Sequence, residues 1–261
     1  MVVAARPAYS EVQVAGIPIH ATTLASAVHV ISKLVERKHG GYICLMDSHS
    51  LVTGLNDAEH RRALTGASLV LPDGAPVAWL ARLHGIVGAE RVTGSDLLVA
   101  VAQYSQDVSL RHVFYGGNEK TLTSLRAELS SKYSHLYIAG HICPPFRVLT
   151  EAEKKEQIRE LKAFKADIIW VGLGSPKQDK WMQEFEVLLK PSLLIGIGAA
   201  FDFISGTKKR APLWLQRLGL EWMYRLLSEP GRLGKRYAKV VPAMLYLCVA
   251  ESFRRWRKQT K

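Results

Sequence analysis

Six short apolar runs rich in β-forming residues, at 42–46, 68–71, 112–115, 136–139, 168–171 and 193–197, alternate with helix-length segments. That alternation constrains the fold strongly. Parallel strands need a crossover of a dozen or more residues, usually a helix, so the pattern predicts a Rossmann-like α/β body with a mostly parallel sheet and flanking helices. Several runs end directly in turn residues: Pro72-Asp73-Gly74, Gly116-Gly117-Asn118 and Gly172-Leu173-Gly174-Ser175-Pro176. In a parallel sheet these ends share one edge, where ligands of open α/β sheets bind. Helices are predicted at 76–83, 95–102, 119–132, 151–164 and 177–189, with Pro76 and Pro176 at or near a first helical position. After Asp202 the strand pattern stops. Residues 212–227 and 235–258 read as helices broken at Pro230 and Gly231, which divides the chain into an α/β body (1–206) and a helical appendage (207–261).

Charge follows the same division. Of a formal net charge of +12 over 261 residues, the appendage holds 14 Lys and Arg against 3 Asp and Glu, leaving 21 against 20 for the body. A globally basic nucleic-acid binder is disfavoured, and a local anionic partner is implied at one end. Three widely spaced cysteines give neither a disulfide framework nor a C-x-x-C metal pair, as expected of a cytosolic protein. Residues 1–16 lack the basic start and apolar core of a secretory signal. The longest apolar run, 240–250, contains Pro242 and falls short of the roughly 20 residues that cross a bilayer.

Gly116, Gly117 and Asn118 follow a strand and open a helix, which permits close backbone approach to an anion at a helix N-terminus. Gly172, Gly174, Ser175, Pro176, Lys177 and Gln178 repeat the arrangement and add a hydroxyl, an ammonium and an amide. Neither turn completes G-x-G-x-x-G with a following acidic residue, so a nucleotide mono- or diphosphate fits better than a dinucleotide. Asp73 sits where a strand ends and a helix begins, open to two readings: a general base facing the crevice, or a capping carboxylate. Arg91 offers a fixed cation before a helix start that Ser95 or Asp96 would cap, and His49 reads as structural or capping. No Asp-x-Asp pair and no His/Asp/Glu spacing suggests metal ligation, so neither metal nor cofactor is expected.

The chain resembles the WecG/TagA/CpsF glycosyltransferases through PDGAPVAW (72–79), RVTGSDLL (91–98), FYGGNEKT (114–121), VGLGSPKQDKW (171–181), GIGAAFDFISG (196–206), KRAPLWLQRLGLEW (209–222) and RLLSEPGR (225–232). The resemblance implies a GT-E type fold and an inverting, metal-independent transfer. A hexose or N-acetylhexosamine of the N-acetylmannosamine type would pass from a UDP donor to a sugar on a polyprenyl diphosphate, in bacterial surface-glycan assembly. It implies Asp73 as general base, Arg91 and Gln178 in the same pocket, the two glycine turns on the nucleotide, and Asp202 on a ribose or sugar hydroxyl or capping a helix. Where many relatives read Thr-x-Asn, this chain has Leu45-Met46-Asp47, so Asp47 is a second carboxylate for the crevice; an arginine of the family pattern is Gly231 here.

In the appendage, Arg217, Glu221 and Arg225 fall at i, i+4 and i+8, so Glu221 is expected to pair with either arginine on one helix. Trp214, Leu215, Leu218, Trp222 and Leu226 make that segment apolar enough to dock on the body, on a second copy of the chain as a homo-oligomer, or on a membrane. The resemblance implies that Arg225, Arg232 and Arg236 stabilise the UDP leaving group. Residues 254–258 place four cations around Trp256, which favours peripheral contact with an anionic leaflet, the cytoplasmic face of the inner membrane, over an RNA-binding tail. Two rival functions stay open, a nucleotide-dependent oxidoreductase and a non-enzymatic basic adaptor for membrane or nucleic acid.

Overall fold

A computed structural model describes residues 9–86 and 88–259, with the backbone alone for Lys258 and Gln259. Residues 1–8, the first half of the stretch that lacks the features of a secretory signal, and the Lys258 cation therefore lie outside the described residues.

The described chain opens with a hairpin that the strand pattern did not predict, β1 (Ser10–Val14) and β2 (Ile17–Ala21). Its two-residue turn, Ala15-Gly16, has both φ angles positive, at 50° and 78°, as tight antiparallel hairpins require. β2 is buried along its whole length, and His20 Nδ1 accepts the Val70 backbone N–H at 2.9 Å. The hairpin thus covers a sheet edge that would otherwise be open to pairing.

All six predicted runs are strands: β3 (Gly41–Met46), β4 (Leu69–Pro72), β5 (Arg111–Gly116), β6 (Tyr137–Ile142), β7 (Ile168–Gly172) and β8 (Leu193–Gly196). They form one parallel sheet in the order β4-β3-β8-β7-β5-β6. Successive residues of each strand face opposite sides, so Tyr42, Cys44 and Met46 enter one core while Ile43 and Leu45 enter the other. The helices covering the two faces are α1 (Leu24–Glu36), α2 (Ser48–Asn56), α3 (Ala58–Thr65), α4 (Ala75–Leu83), α5 (Gly94–Tyr104), α6 (Glu119–Lys132), α7 (Glu151–Ala163), α8 (Lys177–Phe185) and the short α9 (Ala200–Ile204). Caps explain their starts: Thr23, Asp47, Asp57, Thr93, Asn118 and Thr150 each accept a backbone N–H of the first turn. Thr93, rather than Ser95 or Asp96, caps α5.

Beyond residue 206 the helices are α10 (Leu213–Arg217), α11 (Glu221–Ser228) and α12 (Pro230–Gln259). Two expectations are corrected here. The predicted helix 212–227 is divided at Gly219, whose φ of +74° leaves the helical region. The predicted break at Pro230 and Gly231 is instead a start, because a proline lacking an amide is compatible with the first helical position. Val240, Met244 and Leu247 of α12 join the first core, packed on α2 and α4. Among the described residues, no helix is long and apolar enough to cross a membrane.

Candidate active site

The carboxyl ends of β3, β4, β5, β7 and β8 open on one side, and the loops leaving them line a cavity of about 760 Å³. Residues of α11 and α12 complete its wall. Twelve of the fifteen residues assigned from the sequence to catalysis or substrate binding line it: Asp73, Arg91, Gly117, Asn118, Gly172, Gly174, Ser175, Gln178, Asp202, Arg225, Arg232 and Arg236. Gly116, Pro176 and Lys177 do not.

Of the two readings of Asp73, the geometry removes the capping one. The cap of α4 is Gly74, which offers no side chain, and no hydrogen bond to the Asp73 carboxylate is formed among the described residues. The side chain is half-buried and lines the cavity. Burial, with Asp47 and Glu221 nearby, pushes its pKa up to about 7, against the opposing pull of Arg91 and Arg225. A carboxylate poised near neutrality and free of structural duties is suited to taking a proton.

The other carboxylates of the cavity are each matched to a cation. Asp47 accepts the Ser50 amide at 2.7 Å as the cap of α2, and its second oxygen pairs with Arg236 Nη2 at 3.0 Å, so it is not a spare base. Asp202, in the first turn of α9, lies 3.5 Å from Lys208 Nζ. Glu221 pairs with Arg91 at 2.9 Å and approaches Arg210 at 3.7 Å, while Arg210 binds Asp96 at 2.6 Å. The expected pairing of Glu221 with Arg217 or Arg225 is not formed: Gly219 places Arg217 on a different helix, and Glu221, although it shares α11 with Arg225, pairs with Arg91 of the body instead. Lys208 and Arg210 both line the cavity and were missed in the sequence, where their stretch carries no strand-end signal. Arg232 is held by Glu229, whereas Arg225 lies over the Phe203 ring at 5.6 Å with no carboxylate in pairing range among the described residues. His49 lines the cavity beside Thr53, and burial lowers its pKa.

The glycines divide by role. Gly116 is in register with Gly172, and a Cβ on it would lie 2.7 Å from the Gly172 carbonyl, so it is needed for strand contact. Gly174, at φ +78°, faces open space, as a ligand-facing turn requires. The two turns after β7 and β8 are tied together by Gln178, whose Oε1 accepts the Gly174 and Gly198 amides at 3.1 and 3.0 Å. Ser175 donates inward to Asp179 at 2.7 Å, and Asp179 also pairs with buried His60 at 3.0 Å. This network stands behind the turn. Away from the cavity the fold brings Glu119, His141 and Cys143 within 4.8 Å, a grouping no sequence spacing revealed. His141 and Cys143 donate to the Glu119 carboxylate at 2.9 and 3.4 Å, which accounts for the cluster without a metal.

A family model described as "Glycosyl transferase WecG/TagA/CpsF family" matches residues 12–258. Similar proteins include one of Bacillus subtilis strain 168, 28% identical over 83% of both chains. Another, of Bacillus spizizenii strain W23, is 26% identical over 78% of this chain and 77% of its own. A third, of Staphylococcus aureus strain MW2, is 24% identical over 99% of both. Each is named N-acetylglucosaminyldiphosphoundecaprenol N-acetyl-beta-D-mannosaminyltransferase.

Proposed function

Since the chain belongs to the WecG/TagA/CpsF glycosyltransferase family, we propose that it moves a hexose or N-acetylhexosamine, of the N-acetylmannosamine type, from a UDP donor to a polyprenyl-diphosphate-linked sugar. The product would serve bacterial surface-polysaccharide or cell-wall polymer synthesis. The observation that carries this reading is Asp73: a strand-end carboxylate, free of capping and ion pairing, pushed up to about 7 inside a cavity walled by glycine turns and cations. Family membership sets aside the oxidoreductase and adaptor readings.

In the proposed reaction, Asp73 takes the proton of the acceptor hydroxyl as that oxygen attacks the anomeric carbon from the face opposite the nucleotide. The C–O bond to UDP breaks with its electron pair leaving on the phosphate oxygen, so the product is inverted. The turns at Gly117-Asn118 and Gly174 supply backbone amides to the donor phosphates and Arg225 adds positive charge beside them, with Arg232 and Arg236 farther along the same cavity. We read the chemistry as metal-independent because Asp47, Asp202 and Glu221 are already matched to Arg236, Lys208 and Arg91. The body (1–206) and appendage (207–261) would meet at the Glu221–Arg91 pair, with the basic end of α12 on the cytoplasmic leaflet. The test is a panel of UDP-sugars with a short-chain polyprenyl-diphosphate sugar acceptor, read by mass spectrometry. A mass gain of one sugar with wild type and none with Asp73→Asn is expected; comparable turnover by the Asn variant removes Asp73 from the mechanism.

A further inference from the structure

The lining of the cavity does not end at its cations. Following one face of α12, Arg232 and Arg236 are succeeded by Val240, Val241, Met244, Leu245 and Cys248, all lining the same space. Their spacing of about four residues keeps them on one stripe, and at 1.5 Å per residue the apolar part reaches roughly 18 Å beyond Arg236. Val241 and Leu245 are 36% and 63% exposed, and α4, against which α12 packs, adds Trp79 at 49%. The stripe therefore changes from cationic to apolar along a single trench opening into the site.

Its position relative to the sheet matters as much as its chemistry. α12 packs on α2 and α4, the helices that follow β3 and β4, so the trench starts at the end of the sheet holding Asp47 and Asp73. The glycine turns follow β7 and β5, three and four places from β4 in the strand order. At about 4.8 Å per strand that separates the base from the phosphate turns by roughly 14 Å or more. The base has to face the acceptor hydroxyl, so the acceptor enters from the α12 side and the donor nucleotide lies toward β5 and β7. Arg225, over Phe203 of α9, is on the donor's route; Arg236, held by Asp47 and with a buried Nε lacking a partner among the described residues, is on the acceptor's.

We infer that the trench along α12 binds the first isoprene units of the acceptor's polyprenyl chain, with Arg232 and Arg236 on the acceptor diphosphate rather than the donor's. An amphiphile with an anionic head and an apolar chain matches the order of the stripe. This rests on the proposed transferase reading but is tested apart from sugar transfer. Full-length protein is titrated calorimetrically, without vesicles or detergent micelles, with farnesyl diphosphate, isopentenyl diphosphate and UDP. The two prenyl compounds share a head group and differ by two isoprene units.

Wild type is expected to bind farnesyl diphosphate at least about tenfold more tightly than isopentenyl diphosphate. Val241→Glu and Leu245→Glu, both at exposed positions, bring the two ligands within about threefold and leave UDP binding unchanged. Arg236→Gln weakens both prenyl diphosphates alike and spares UDP. Equal binding of the two prenyl compounds by wild type, or a preference that survives both glutamates, overturns the trench; loss of UDP affinity in Arg236→Gln overturns the division of the arginines. Sedimentation velocity on the same samples identifies a self-association face, and glutamate variants that only dissociate an oligomer while keeping the farnesyl preference also refute the inference. Failure of the transferase reading appears separately, as absence of product in the UDP-sugar panel.

Discussion

At the scale of single residues, half-buried Asp73 and buried His112 make opposite predictions about pH. Under the proposed mechanism Asp73, raised to about 7 chiefly by burial, takes a proton only when ionised, so kcat/KM should climb with pH up to about 7 and then level off. The same shift works against stability. A carboxyl whose folded pKa is raised contributes stability below the ordinary carboxylate range and loses it as pH rises through about 7. Asp73→Asn is therefore expected to lose transfer yet be more stable than wild type at pH 8, by about 1 kcal/mol or more in urea denaturation. His112 has the reverse sign: burial lowers it to about 4, so it contributes stability above its ordinary 6.5 that disappears as pH falls through 4. Its Nδ1 accepts from Trp170 Nε1–H at 3.0 Å, and its Nε2–H then donates to Ser105 Oγ at 2.9 Å. Replacing it by Phe orphans the Trp170 Nε1–H in a dry core, a loss of about 1–3 kcal/mol, while the Ser105 hydroxyl keeps its 2.7 Å bond to the Val101 carbonyl. His112→Phe should thus lower the urea midpoint while leaving the KM for the UDP donor unchanged.

At the scale of elements, glycine-rich turns that look equivalent in the sequence differ in what they require. Gly116→Ala drives a Cβ to 2.7 Å from the Gly172 backbone between adjacent strands, which neither strand can relieve by turning a side chain. It should cost about 3 kcal/mol or more and depress Tm sharply. Gly174→Ala meets only its own φ of +78°, so its larger effect should be on UDP affinity measured at equal Tm offset. The strands were legible because a run such as Ile168–Gly172 is apolar throughout and ends in a turn. The hairpin β1–β2 was not, since its first strand, SEVQV, is largely polar and its second contains a proline. The pairing of Glu221 was also misread: regular helical spacing predicts local partners, whereas the left-handed Gly219 removes Arg217 from its helix and packing of α11 on the body offers Arg91 in place of Arg225. Glu221→Ala leaves Arg91 and Arg210 without that carboxylate, and should cost about 1–3 kcal/mol together with a larger fall in kcat/KM than in stability, read by denaturation and initial rates on one preparation.

Over the whole molecule, the sequence made the parallel sheet and the strand-end location of the cavity legible, because both depend on local pattern and chain order. It could not show which carboxylates would be neutralised by cations far away in the chain, as in the Asp47–Arg236 and Asp96–Arg210 pairs, since those depend on how α12 and the 207–212 segment return over the sheet. The net charge of +12 is distributed by the same return. Arg225, Arg232 and Arg236 line the cavity, while Arg254, Arg255 and Arg257 lie at the far end of α12 beside exposed Phe253 and Trp256. Glu251 is only 5% exposed and lies 3.3 Å from His84, so α12 is part of the packed structure at least that far. A chain ending at Ser252 should consequently keep its fold and its transfer to a short-chain, water-soluble acceptor. Each cation removed weakens attraction to an anionic leaflet by about 1 kcal/mol, so the shortened chain should lose most of its partitioning onto phosphatidylglycerol vesicles in a co-sedimentation assay at low salt. Full-length protein should show the same loss as salt rises, because screening shortens the range of that attraction. Vesicle binding by the shortened chain equal to that of the full chain would move the membrane contact to the apolar residues of α10 and α11, where Leu213, Trp214 and Leu227 are also exposed.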